Sequence, residues 1–74
     1  MDTKISLRAA RVNANLTIAE SAKLLGVDPS TLMRWERHPN MVQQKYLDRI
    51  SKIYRYPTDN IFFGNPTSLT SIAE

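Results

Sequence analysis

Ser30, Arg34 and Arg37 follow one another at intervals of four and three residues. On a helix turning about 100° per residue, with Ser30 at zero, Arg34 falls at about 40° and Arg37 at about −20°. Met33 lies beside them, and Leu32, Trp35 and Glu36 fall on the other side. One face therefore offers a hydroxyl and two guanidiniums, while the other is mostly apolar. A guanidinium is a planar fork of donors that matches the O6 and N7 acceptors on the edge of guanine. The division suits a helix that is locked by its inner face and reads base edges with its outer one. Arg34 is the candidate for guanine, and Ser30 and Met33 for a base edge or a thymine methyl. Arg37, Thr31 and Lys45 suit backbone phosphates. The helix start near Thr17 and Ile18 adds exposed N–H groups for another phosphate.

These side chains need a frame, and the local signals describe one. Thr17 and Glu20 have capping-box spacing, which starts a helix at Thr17 that runs through Ala19, Ala22 and Leu25. Gly26 ends it, because glycine takes the left-handed conformation freely. Asp28-Pro29 starts the next helix, with the acid as cap and proline at the first helical position. Pro39 limits that helix to about Arg37. Upstream, Ile5 to Ala14 carries Leu7, Ala10, Arg11 and Ala14 on one stripe. Downstream, a fourth helix is expected from about Gln43 to Arg55, and Pro57-Thr58-Asp59 opens a last turn bearing Ile61 and Phe62.

The expectation is an all-α bundle of about five helices. Its core would hold Leu7, Ala22, Leu25, Val27, Leu32, Trp35, Leu47, Ile50, Ile53 and Phe62. One domain over residues 1–63 would be followed by a short tail, 64–74, with Leu69 and Ile72 as its apolar anchors.

Two residues break the pattern. Arg11 sits on an apolar stripe, and Glu36 lies on the inward side of its helix. Opposite charges misplaced in this way suggest each other, as a partly buried ion pair joining the first helix to the third. Trp35 belongs with the core positions, and base stacking is the lesser reading for it.

Composition narrows the function classes. The chain has 74 residues, 42% of them apolar, with a net charge of +3. There is no cysteine, and the single histidine, His38, has no cluster of acids around it. No metal site, cofactor site or acid–base constellation is expected, so an enzyme is not expected either. No apolar run reaches the length of a membrane span, and the N-terminus lacks a signal-peptide core. These features point to a cytoplasmic protein, and the positive charge to a polyanionic partner.

Three stretches, LRAARVNANLT, AESAKLLGVDPSTLMRWER and YLDRISKIYRYPTDNIFF, resemble the Cro-type, lambda-repressor-like helix-turn-helix family. The resemblance spans about residues 4–63 and is nearest to short regulators carried by prophages of Gram-positive bacteria. It implies five helices, the second and third forming the motif and the third entering the major groove of an operator. It implies a transcriptional regulator, dimeric at least on DNA. In the family an arginine of the first helix often pairs with a glutamate late in the third, and Arg11 and Glu36 fall on those positions. The chain also departs from the family. Ile18 stands where a phosphate-gripping glutamine is common, His38 where glycine is usual, and Pro29 where a polar residue is frequent. Ile18, Pro29, Met33 and Val12 make this surface more apolar. The alternative is therefore an antirepressor or repressor modulator that grips another regulatory protein. Residues 17–37 alone also resemble the start of winged excisionase-like domains, which continue into a two-stranded wing.

Overall fold

The computed structural model describes residues 4–64. Four α-helices make up most of it: α1 (Leu7–Asn13), α2 (Ile18–Leu25), α3 (Pro29–Arg37) and α4 (Leu47–Tyr54). Three 3₁₀ turns, Pro39–Met41, Gln44–Tyr46 and Thr58–Asn60, link them or follow them. Two short strands, β1 (Ile5–Ser6) and β2 (Ile61–Phe62), pair in parallel, with Ile5 opposite Ile61 and Ser6 opposite Phe62.

Local chemistry sets the helix ends. The Ser6 hydroxyl accepts from the Ala9 N–H at 3.0 Å and caps α1. Thr17 and Glu20 form the capping box: the Thr17 hydroxyl accepts from Glu20 N–H at 3.1 Å, and the Glu20 carboxylate accepts from Thr17 N–H at 2.9 Å. Gly26 ends α2 with φ +78°, where a side chain would strain the backbone. Asp28 occupies the cap position of α3, but its side chain makes no capping bond, so Pro29 and the extended cap backbone start that helix.

The all-α, five-helix expectation is corrected on two counts. Two 3₁₀ turns, Pro39–Met41 and Gln44–Tyr46, precede α4, which begins at Leu47 and not near Gln43. The last segment contributes a 3₁₀ turn and a strand in place of a fifth α-helix. Two-residue strands are too short to show an alternating pattern, which is why none was legible. Among the described residues no antiparallel wing follows residue 40.

The core comprises Leu7, Ala10, Ala22, Leu25, Leu32, Trp35, Ile50, Tyr54 and Ile61. Val27, Leu47 and Ile53 are only half-buried, and Phe62 is exposed at 41%. Successive side chains on a strand point to opposite faces, so the pairing that buries Ile61 turns Phe62 outward. Ala19, expected on the inner stripe of α2, is exposed. The tail residues Leu69 and Ile72 lie outside the described residues.

Candidate nucleic-acid interface

The outer face of α3 carries Ser30, Met33, Arg34 and Arg37, all exposed, while Leu32 is fully buried and Trp35 nearly so. Thr31 is half-buried at the border between the two. Neither Arg34 nor Arg37 has a carboxylate partner among the described residues. Their donors face solvent.

Arg11 and Glu36 hold the inner side. Arg11 Nε donates to Glu36 Oε2 at 2.6 Å and Nη2 to Oε1 at 3.4 Å. The remaining fork nitrogen, Nη1, donates to the Leu16 carbonyl at 2.7 Å. One guanidinium thus joins α1, the turn that leads into α2, and the last turn of α3. Both side chains are about nine-tenths covered. Their partners satisfy them, and no buried side-chain nitrogen or oxygen among the described residues lacks a hydrogen bond.

A second polar contact crosses the core behind the motif. Ser21 Oγ on α2 and Tyr54 Oη on α4 lie 2.5 Å apart, and either hydroxyl can donate. Burial pushes the Tyr54 phenol above its ordinary pKa of 10.0, against the opposing pull of the Ser21 hydrogen bond. The nearby Glu36 charge raises it further and Arg11 lowers it.

Lys45 is exposed in the second 3₁₀ turn, its ammonium 5.4 Å from the centre of the Tyr46 ring. Tyr46 in turn packs tilted against Trp35, ring centres 5.0 Å apart. Trp35 therefore anchors α3 and also supports the segment that presents Lys45. Arg49 is a residue that sequence patterning missed. It lies 6.0 Å from the other partner of this cluster, the Tyr46 ring, and donates to the Leu25 carbonyl at 3.1 Å, bracing α4 against the end of α2. Its position one turn after Lys45 was the available signal.

At the start of α2 the Thr17 N–H and the Thr17 hydroxyl oxygen are both engaged by Glu20. The hydroxyl proton of Thr17 remains for an outside acceptor. Among the described residues no group of three or more His, Asp or Glu side chains gathers to hold a metal, and no helix is long and apolar enough to cross a membrane.

A family model described as helix-turn-helix matches residues 7–61. No curated protein and no solved structure matches the chain. The matched span begins at the first residue of α1 and ends in β2, so it takes in all four helices and the exposed face of α3. The chain belongs to the Cro-type, lambda-repressor-like helix-turn-helix family of DNA-binding transcription regulators.

Proposed function

We propose that this protein is a sequence-specific regulator of the Cro or repressor kind, acting in the cytoplasm and encoded by a phage or prophage. It occupies an operator by laying α3 in the major groove. Arg34 reads a guanine, and Ser30 and Met33 touch neighbouring base edges. Thr17, Thr31, Arg37 and Lys45 hold backbone phosphates and fix the register. Two copies bind as a two-fold dimer on a pseudo-palindromic site, with their recognition helices about 34 Å apart. Residues 1–63 form the binding domain, and 64–74 are a tail appended to it.

The observation that carries this reading is the split of α3. Two guanidiniums that have no carboxylate partner among the described residues lie on a face whose opposite side is clamped by Leu32, Trp35 and the Arg11–Glu36 pair. An ordinary surface helix also buries an apolar stripe; the added Arg11–Glu36 clamp suits a reading helix, because base contacts tolerate little displacement.

Fluorescence anisotropy with DNA flanking the protein's own gene and with random duplexes, across a salt series, tests the proposal. Tight binding to one flanking sequence, much weaker binding to random duplexes and a steep salt dependence are expected. Footprinting should protect two half-sites, and a single asymmetric half-site at saturation counts against the dimer. The antirepressor alternative draws on Met33, 45% exposed, and Ile18, half-buried beside it. It predicts no salt-dependent binding to any duplex.

A further inference from the structure

The chain has three methionines and no cysteine, so all of its oxidisable sulfur is thioether. Met1 lies outside the described residues. Met33 and Met41 are 45% and 48% exposed, so an oxidant in solution reaches both. Their surroundings differ. Met41 closes the 3₁₀ turn after α3. Met33 stands on the outer face of α3 and lines a groove of about 380 Å³ together with Arg8, Ile18 and Arg37. Arg37 follows Met33 by four residues, which sets the two one above the other on the helix. A long helical side chain lies over the turn that precedes it, so the Arg37 stem reaches back toward Met33. The Arg37 guanidinium has no carboxylate partner among the described residues.

We propose that Met33 is an oxidation site through which hydrogen peroxide releases the protein from DNA. The thioether sulfur gives an electron pair to one peroxide oxygen. The S–O bond forms as the O–O bond breaks, the sulfur is oxidised to the sulfoxide, and the second oxygen leaves as water after taking the proton from the first. The product differs from the thioether in two ways that matter at this position. An apolar, flexible side chain becomes a polar one, so its contact with a base edge or thymine methyl is lost. The new oxygen is also a strong acceptor within reach of Arg37, and a charge-assisted hydrogen bond to it draws that guanidinium away from phosphate. Methionine sulfoxide reductases return the thioether, so the change is reversible. Met41 shares the exposure of Met33 but not its place on the outer face of α3, and its oxidation leaves binding unaltered. This inference rests on the reading that α3 meets DNA.

The test treats the full chain with hydrogen peroxide, follows the sulfoxide at each methionine by peptide mass mapping, and measures anisotropy before and after. The duplexes are DNA flanking the protein's own gene and a random sequence. Oxidation of the wild type should weaken binding to the flanking duplex about tenfold, as a base contact is lost. On the random duplex it should lower the slope of log affinity against log salt by about one unit, as Arg37 leaves its phosphate. Treatment with a methionine sulfoxide reductase should restore both. Met33→Leu, whatever its own affinity, should bind equally before and after peroxide, because leucine has no sulfur to oxidise. Met41→Leu should respond as the wild type does. The melting temperature should not change on oxidation, since Met33 is exposed. If the wild type carries the Met33 sulfoxide and keeps its affinity, the inference falls while the binding itself leaves the DNA reading standing. It also falls if Met33→Leu loses as much affinity on treatment as the wild type, or if affinity and melting temperature drop together. If the untreated wild type binds neither duplex, the reading and the inference fall together.

Discussion

The two sides of α3 are built from the same nine residues and differ in nearly every physical respect. Leu32 and Trp35 are buried, and Glu36 is covered and paired. Ser30, Arg34 and Arg37 are exposed, and the two arginines have no carboxylate partner among the described residues. On the inner side the Arg11–Glu36 pair is satisfied within the chain, so its interactions count toward folding. On the outer side the donors are spent on water, so they cost the fold nothing and remain for an external acceptor. The lesson is a separation of roles within one helix. Inner-face changes should move stability, and outer-face changes should move binding alone.

The largest test of that separation is Glu36→Ala. It leaves the Arg11 guanidinium buried without its carboxylate and should cost about 3 kcal/mol of unfolding free energy. Urea denaturation reads this directly. A variant as stable as the wild type would mean that the inner side is not held by the pair.

Arg34→Ala probes the outer side. It should leave the urea midpoint unchanged and cost about 1–3 kcal/mol of affinity for the cognate site, relaxing preference at one base pair. Anisotropy with single-base operator variants measures both. Loss of stability in this variant would erase the distinction between the faces.

Tyr54→Phe sharpens the comparison by asking what a neutral polar contact contributes where Arg11–Glu36 contributes a charged one. It strands the buried Ser21 hydroxyl and should cost about 1 kcal/mol near neutral pH. The sign of its pH dependence follows from burial. Because the phenol's pKa is raised in the folded protein, the native state keeps its proton at a pH where the unfolded chain loses it. The resulting contribution is fully present below pH about 10 and is lost as pH rises through the folded value. Urea midpoints measured upward from neutral pH should therefore fall more steeply above pH about 10 in the wild type than in Tyr54→Phe. Parallel curves would place Tyr54 in contact with solvent.

The smallest effect is expected away from both faces. Arg55 ends α4 at φ +54°, ψ +44°, a left-handed conformation that suits glycine better than arginine. Arg55→Gly should stabilise by up to about 1 kcal/mol without altering DNA affinity, as thermal melts and anisotropy would record together. A loss of affinity would bring the groove lined by Asn15, Leu24, Ile53 and Arg55 into the DNA-binding surface.

The parts of the molecule that were legible in advance are those whose causes are local. Thr17, Glu20, Gly26 and Pro29 act within a few residues of themselves, so the bounds of α2 and α3 could be read directly. The periodicity of α3 separated Leu32 and Trp35 from Ser30 and Arg34 for the same reason. Arg11 and Glu36 were suggestive because each broke its own helix's pattern, and in the structure they meet. Residues 43–46, expected inside the fourth helix, and the strand Ile61–Phe62 were misread because short 3₁₀ turns and two-residue strands leave too few positions to establish a period.

By itself, then, the sequence determined the helix-turn-helix, the division of α3 into an inner and an outer face, and the want of a cysteine framework. The first two follow from propensity, capping and spacing along one short stretch of chain, and the third from composition. Tertiary structure alone decided what lies beside what across the chain. It paired β1 with β2 and so turned Phe62 outward, and it set Tyr54 against Ser21 in the core. It braced Arg49 against Leu25 and brought Arg8 of α1 to the same groove as Arg37 of α3. The physical reason is that such contacts depend on how packed elements cross. No period within a single element carries that information.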